Sequence, residues 1–176
     1  MKALLALVAV LALAAGYFAA RPAENTAGGP STMVLHESPR ELPELRFVGG
    51  EQNAVALSDF RGRTVLLNLW ATWCAPCVEE MPTLDALQAK LGGPDFEVVA
   101  LSVDRGGAEP IRAFYERIDV RRLGVYVDPS ARASDELDAV GLPTTLLIDP
   151  QGREIARLTG PAVWDSPEMI AFLEGL

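Results

Sequence analysis

The chain has 176 residues, of which 49% are hydrophobic, and it is long enough to bury one sizeable core. It has 15 basic and 24 acidic residues, and no positive stripe runs along it. Since a surface that binds phosphates needs such a stripe, the composition argues against nucleic acid as a partner. One acidic domain is expected.

The N-terminus begins with Lys2 and continues as an uncharged run over residues 3–20. Eighteen helical residues span roughly 27 Å, close to the hydrocarbon thickness of a bilayer. We expect residues 1–21 to be an uncleaved signal anchor in the inner membrane, with Lys2 inside and the following domain in the periplasm. The alternative is a signal peptide cleaved at a small-x-small site within residues 12–16, which would leave a soluble periplasmic domain.

Residues 22–41 are rich in proline, glycine, serine and glutamate and show little hydrophobic periodicity. This composition is typical of a flexible tether. His36, the single histidine, lies here and is predicted to be a solvated linker residue. The expected organisation is therefore an anchor over 1–21, a linker over 22–41 and one folded domain over 42–176.

The first half of this domain shows strand and helix patterns in turn. Two short apolar segments, 45–48 and 54–57, flank a glycine-containing turn and predict a β-hairpin. The apolar run Thr64–Trp70 predicts a central strand that is buried on both faces. A helical pattern over 78–91 and a strand over 96–103 follow, which predicts a right-handed crossover between parallel strands.

The second half continues with shorter elements and ends in a helix that Asp165 or Ser166 caps. Together these patterns predict an α/β fold in which helices flank a mixed central sheet. The predicted elements are a helix over 108–118, strands over 123–127, 146–148 and 154–158, an acidic helix over 131–139, and a C-terminal helix from Pro167 to about Leu173.

The two cysteines of the chain lie in Trp73–Cys77, between the strand Thr64–Trp70 and the next helix. This context places Cys74 at the open end of a helix, where unpaired N–H groups and the helix dipole stabilise a thiolate. Cys74 is therefore the predicted nucleophile. Cys77, about one helical turn further on, is close enough to attack a disulfide formed on Cys74 and is the predicted resolving thiol. Pro76 suits the first helical turn because it has no N–H group to satisfy.

The segment Trp70–Cys77 resembles the active-site motif of the thioredoxin superfamily. With Glu80-Met81-Pro82 behind it, it resembles the membrane-anchored TlpA/ResA-like thiol:disulfide oxidoreductases. The similarity extends from about Leu42 to Leu176, and the segments 103–107 and 164–168 favour the TlpA branch. It implies a thioredoxin fold with an N-terminal β-hairpin and an inserted helix and strand near the centre of the domain.

The same resemblance implies roles for residues around the motif. Pro143 would be a cis-proline that lies against the cysteines and exposes the backbone of Leu142 to an extended substrate. Trp73, Ala75, Pro76 and Leu142 are accordingly expected to bind substrate.

Proton transfer to and from Cys77 calls for a nearby acid or base. Glu80 is similar to the active-site glutamate of ResA-like proteins and is expected to take this role, although a solvated first-turn glutamate like Glu79 is the alternative. Cytoplasmic thioredoxins have a titratable acid in the strand before the motif, whereas this chain has Asn68 there.

The resemblance implies an extracytoplasmic dithiol reductase with no cofactor or metal beyond the redox-active Cys74–Cys77 pair. Its implied substrates are disulfides of apocytochrome c or of a copper chaperone for cytochrome oxidase, and its implied electron donor is a membrane carrier of the CcdA/DsbD type. The alternatives are a general periplasmic disulfide oxidant or isomerase and a copper-binding, metallochaperone-like protein. The latter would need a histidine ligand, and residues 40–176 contain none.

Overall fold

The computed structural model describes residues 33–176. The predicted anchor over 1–21 and the first part of the predicted linker lie outside the described residues. Within residues 33–176, no helix is both long and apolar enough to cross a bilayer. The elements in chain order are β1 Val34–Glu41, β2 Arg46–Gly49, β3 Ala54–Ala56, a 3₁₀ turn Leu57–Phe60, β4 Thr64–Trp70, α1 Ala75–Leu91, β5 Phe96–Ser102, α2 Ala108–Arg117, β6 Tyr126–Val127, α3 Arg132–Glu136, β7 Thr144–Ile148, β8 Arg153–Thr159 and α4 Pro167–Glu174.

The strands form one mixed sheet in the order β1-β8-β7-β4-β5-β6-β2-β3. β4, β5 and β6 run parallel to one another, and β7 is antiparallel to β4. The crossover from β4 through α1 to β5 therefore brings the carboxyl ends of two neighbouring parallel strands to the same edge of the sheet. The amino end of β7 lies at that edge too, because Leu69 pairs with Thr144.

The central strand β4 is buried on both faces, as predicted. Its side chains alternate between two apolar clusters, with Leu66 and Trp70 in one and Leu67 and Leu69 in the other, and none of these four side chains has exposed area. α1 packs on the Trp70 side through buried side chains that include Met81. A strand embedded in this way gives the site that follows it a rigid base.

The predicted hairpin and the predicted insertion are both present. β2 pairs antiparallel with β3, and β6 joins the hairpin to the sheet by pairing with β2 and β5. β6 is shorter than the predicted strand over 123–127, and the backbone N–H of Leu123, where that strand was predicted to begin, donates to the Asp85 carboxylate instead of to a neighbouring strand. α3 is shorter too, since Asp138 has a left-handed φ of 51° that is incompatible with a continuing helix.

The linker prediction is wrong for residues 34–41, which form β1 and pair antiparallel with β8. His36 is not solvated either, because its side chain is 6% exposed and its Nε2 lies 2.8 Å from Oε1 of Glu154. The strand β1 was not predicted because it is an edge strand whose side chains are mostly exposed, and its sequence therefore shows no hydrophobic alternation. Backbone pairing and the buried Glu154 hold it in place.

Candidate active site

The cysteine motif joins the end of β4 to the start of α1. Cys74 is the N-cap of α1, its N–H donates to the carbonyl of Ala71 at 3.1 Å, and its carbonyl accepts from Val78 at 3.1 Å. Pro76 lies in the first turn of the helix, as predicted. Cys74 and Cys77 are joined by a disulfide bond. Cys74 is 7% exposed whereas Cys77 is fully buried, so Cys74 is the cysteine that another molecule can reach.

Asp104 fixes the loop that leads into the motif. Its carboxylate accepts hydrogen bonds from the backbone N–H of Thr72 at 2.8 Å, from the Thr72 hydroxyl at 2.9 Å and from the Ser102 hydroxyl at 2.8 Å. These contacts tie the end of β5 to the residues just before Cys74. No local motif in the sequence indicates this role for Asp104, although its position after a parallel strand adjacent to β4 is where a functional side chain is expected.

The Leu142–Pro143 peptide bond is cis, as predicted. Pro143 directly precedes β7, and its carbonyl accepts from the N–H of Gly160 at 2.9 Å. The Thr144 hydroxyl donates to the carbonyl of Gly141 at 2.6 Å and closes the turn. These bonds hold the 141–143 loop at the same edge of the sheet as Cys74.

Trp73 and Leu142 line one open groove beside the motif, with a volume of roughly 580 Å³. Trp73 is 71% exposed, and Val140, which also lines the groove, is 89% exposed. The structure thus brings two of the predicted substrate-binding residues together, whereas Ala75 and Pro76 lie on the first turn of α1 outside this groove. The remaining lining residues are Val103, Asp104, Arg105, Ala131, Ser134, Ala139 and Gly141.

Glu80 is buried, which contradicts the alternative of a solvated first-turn glutamate; Glu79 beside it is exposed. Oε1 of Glu80 accepts from Nδ2 of Asn68 at 2.7 Å. Oε2 accepts from the backbone N–H of Ala162 and from Nε1 of Trp164, both at 3.0 Å. Burial raises the pKa of Glu80, and these three hydrogen bonds offset part of that rise.

The segment before α4 closes over α1 at Glu80. Trp164 is fully buried, and its backbone N–H donates to the Thr83 hydroxyl at 3.1 Å. That hydroxyl donates in turn to the carbonyl of Glu80 at 2.8 Å. Sequence reasoning missed Ala162, Trp164 and Thr145 as parts of the site because their contacts join residues more than 70 positions apart, and no local pattern signals such contacts.

Comparison with known proteins agrees with this geometry. The profile of the Redoxin family matches residues 38–172, which is most of the chain. The chain belongs to the Redoxin family. The thiol-disulfide oxidoreductase ResA of Bacillus thuringiensis subsp. konkukian is 32% identical over 121 residues, which cover 69% of this chain and 69% of the relative. The ResA protein of Bacillus subtilis is 33% identical over 106 residues, which cover 60% of this chain and 58% of the relative.

Among solved structures, a DsbF homologue from Corynebacterium diphtheriae superposes with a TM-score of 0.66 at 26% identity, covering 85% of this chain and 96% of that chain. The fold is therefore thioredoxin-like, and the predicted ResA/TlpA-like relationship is confirmed. This Redoxin-family member is a thiol:disulfide oxidoreductase.

The arrangement suits that chemistry. A reachable cysteine at a helix N-cap is followed by a buried cysteine in the first turn and then by a buried carboxyl with a raised pKa, all on one helix. A thiolate formed at the N-cap when the disulfide is reduced lies at the positive end of the helix dipole, which stabilises its charge. Within residues 33–176, no three His, Cys, Asp or Glu side chains are grouped so as to hold a metal ion.

Proposed function

We propose that this oxidoreductase is an extracytoplasmic dithiol reductase, held at the inner membrane through residues 3–20 and acting in the periplasm. The observation that supports it most is the unequal burial of the two cysteines, 7% exposed for Cys74 and 0% for Cys77. In this arrangement Cys74 can contact the substrate, whereas Cys77 is covered by the protein and can react only with Cys74. The resemblance of the motif to TlpA/ResA-like proteins supports the location.

In the proposed cycle the Cys74 thiolate attacks one sulfur of a substrate disulfide and forms a mixed disulfide, while the other substrate sulfur leaves as a thiolate and takes a proton. Cys77 then loses its proton and attacks the Cys74 sulfur. The substrate leaves as a dithiol, two electrons richer, and the Cys74–Cys77 disulfide remains. A membrane carrier of the CcdA/DsbD type then reduces the Cys74–Cys77 disulfide with two electrons and restores both thiols. The cycle uses no other redox group of this chain.

Glu80 takes the proton from Cys77 in this cycle. It lies three residues after Cys77 on α1 and therefore on the same helix face. Its buried position raises its pKa toward that of a useful proton acceptor for a thiol.

The groove beside Cys74 is the proposed seat of the substrate chain. Trp73, Val140 and Leu142 give it apolar walls, and Gly141 beside Leu142 also lines it. The proposed substrates are the haem-binding cysteines of apocytochrome c or the cysteines of a copper chaperone for cytochrome oxidase. The proposal of these two substrates rests on the resemblance to TlpA/ResA-like proteins.

A trapping experiment tests this function. The variant Cys77→Ser, made in the full-length chain in its host, keeps the attacking thiol and loses the resolving one, so substrates stay linked to Cys74. We expect an apocytochrome or a copper-site assembly protein among the linked proteins. The double variant Cys74→Ser/Cys77→Ser is the matched control and should capture neither. Capture of many unrelated secreted proteins would instead favour a general oxidant or isomerase.

A further inference from the structure

Asn68 occupies a fully buried position on β4, between Glu80 and Thr145. Its Nδ2 lies 2.7 Å from Oε1 of Glu80 and 3.0 Å from Oγ1 of Thr145. Its Oδ1 is buried and has no hydrogen-bond partner among the residues that the structure describes. A buried acceptor without a donor is rare in folded proteins and calls for a physical reason.

The partners of Glu80 divide into two kinds. The N–H of Ala162 and the indole Nε1–H of Trp164 can donate a hydrogen bond but cannot accept one. They suit an ionised carboxylate. When Glu80 binds a proton it becomes a donor itself and needs an acceptor. Among its three hydrogen-bonding partners, only the Asn68 amide also has an acceptor atom.

We propose that the Asn68 side-chain amide reverses when Glu80 changes its protonation state, so that it donates to the carboxylate and accepts from the carboxylic acid. The reversal exchanges Nδ2 and Oδ1 by a half-turn of the amide and requires no backbone movement. This inference rests on the proposed role of Glu80 and makes Asn68 a positioning residue for its proton transfer.

The second neighbour of Asn68 fits both orientations. Asn68 and Thr145 are directly paired across β4 and β7. In the observed orientation the Thr145 hydroxyl accepts from Nδ2. After reversal it rotates and donates to Oδ1, which then accepts from both Glu80 and Thr145. In the observed orientation the unpaired atom is the acceptor Oδ1, whereas after reversal it is Nδ2 with two N–H groups. The reversal therefore depends on the proton of Glu80, which needs the acceptor that Oδ1 then supplies.

No charged side chain of residues 33–176 forms a hydrogen bond or an ion pair with Glu80. On β4 the neutral Asn68 contacts Glu80, and Thr145 of β7 contacts Asn68 in turn. The segment before α4 contributes the donors of Ala162 and Trp164. On α1 the titratable neighbours are Cys77, when reduced, and the exposed Glu79, which lines the same small cavity as Glu80. An acid in place of Asn68 would instead add a second titratable group at hydrogen-bond distance, and the two would titrate together.

The test compares two variants that each remove one donor from Glu80. Trp164→Phe removes the indole N–H, a group that can only donate and therefore stabilises only the ionised form of Glu80. We expect its loss to raise the pKa of Glu80 by about one unit or more. Asn68→Leu removes a group that serves both forms, and we expect less than half of that rise. The measurement is the ¹³C chemical shift of the Glu80 carboxyl against pH, in the oxidised full-length protein in detergent.

An equal or larger rise in Asn68→Leu would overturn the proposal, because it would mean that the amide is a fixed donor. A second readout needs no variant. In the wild type the side-chain amide resonances of Asn68 should shift with the same midpoint as the Glu80 carboxyl, and resonances that stay constant through that midpoint would also overturn it. Both measurements use the oxidised protein, so they can fail while trapping at Cys74 succeeds, and the reverse.

Discussion

Replacing Glu80 with Gln should separate the two halves of the proposed reaction. Attack by Cys74 on the substrate needs no base at Glu80, because the thiolate is stabilised by the helix N-terminus. Resolution by Cys77 does need a base there, because the fully buried thiol of Cys77 must lose a proton before it attacks. Positioned acid–base groups contribute about 10²–10⁴-fold. We therefore expect Glu80→Gln to slow resolution by that factor and to leave formation of the mixed disulfide within a few-fold of the wild type.

The structure indicates that this variant folds. The Gln oxygen fits the position of Oε2, where the N–H of Ala162 and Nε1 of Trp164 continue to donate. The Gln NH₂ group then faces Asn68, and a reversed Asn68 amide accepts from it. A fixed Asn68 would leave two donors facing each other, at a cost of about 1–3 kcal/mol. Thermal unfolding of the variant distinguishes the two cases, because a fixed Asn68 lowers the unfolding temperature and a reversed one leaves it close to that of the wild type.

The assay follows the mixed disulfide in time by acid quenching, thiol alkylation and mass spectrometry. In the wild type, resolution should quicken with rising pH as Glu80 ionises, and it should be lost as pH falls through the pKa of Glu80, which burial places above the ordinary value of 4.5. Glu80→Gln should abolish this pH dependence. A resolution rate within threefold of the wild type, with the same pH profile, would refute the role of Glu80.

Three further predictions concern the surroundings of the motif. Asp104→Ala removes two hydrogen bonds from Thr72 and one from Ser102, and it should lower the thermal unfolding temperature, with Asp104→Asn intermediate; an unfolding temperature equal to that of the wild type in both variants would contradict it. His36→Ala should cost about 1.5–3 kcal/mol of unfolding free energy because it removes a bond to the buried Glu154, whereas the exposed Glu37→Ala on the same strand should change it by about 0.5 kcal/mol or less; matching chemical-denaturation midpoints would count against the role of His36. Trp73→Ala should raise KM for a protein disulfide and leave the reduction of a small disulfide without a peptide chain unchanged, since only a peptide chain would occupy the groove that Trp73 lines; a parallel loss on both would show that Trp73 acts on the cysteines instead.

Local patterns in the sequence were sufficient for the elements that hold the cysteines. The apolar run Thr64–Trp70 and the helical pattern after Cys77 are strong signals, and both elements appear where they were predicted. The cis bond at Pro143 followed from the resemblance and not from the residues alone. Short or exposed elements were less predictable, because β1 has no alternation and α3 is ended by a backbone conformation at Asp138 that the pattern does not signal.

The partners of Glu80 were out of reach for a different reason. Its position after Cys77 was visible in the sequence, but its burial depends on Trp164, 84 residues away. The same holds for Asn68, whose departure from cytoplasmic thioredoxins was visible while its contact with Thr145, 77 residues away, was not. Residue types near a motif can suggest an acid or base, whereas the pKa that suits it to the task depends on tertiary contacts.

The placement of the acid on α1 and of an amide on β4 has a physical consequence for the proposed reaction. A carboxyl on the helix lies one turn beyond Cys77 and keeps a constant position relative to it, because both belong to one rigid element. The neutral side chain on the strand then offers the carboxyl a donor or an acceptor without adding a charge of its own. In the proposed cycle a proton passes between Cys77 and Glu80, while on the strand side only the orientation of the Asn68 amide changes. Of Glu80 and Asn68, Glu80 alone then changes its charge. The core thereby avoids the free-energy cost of burying a second carboxyl.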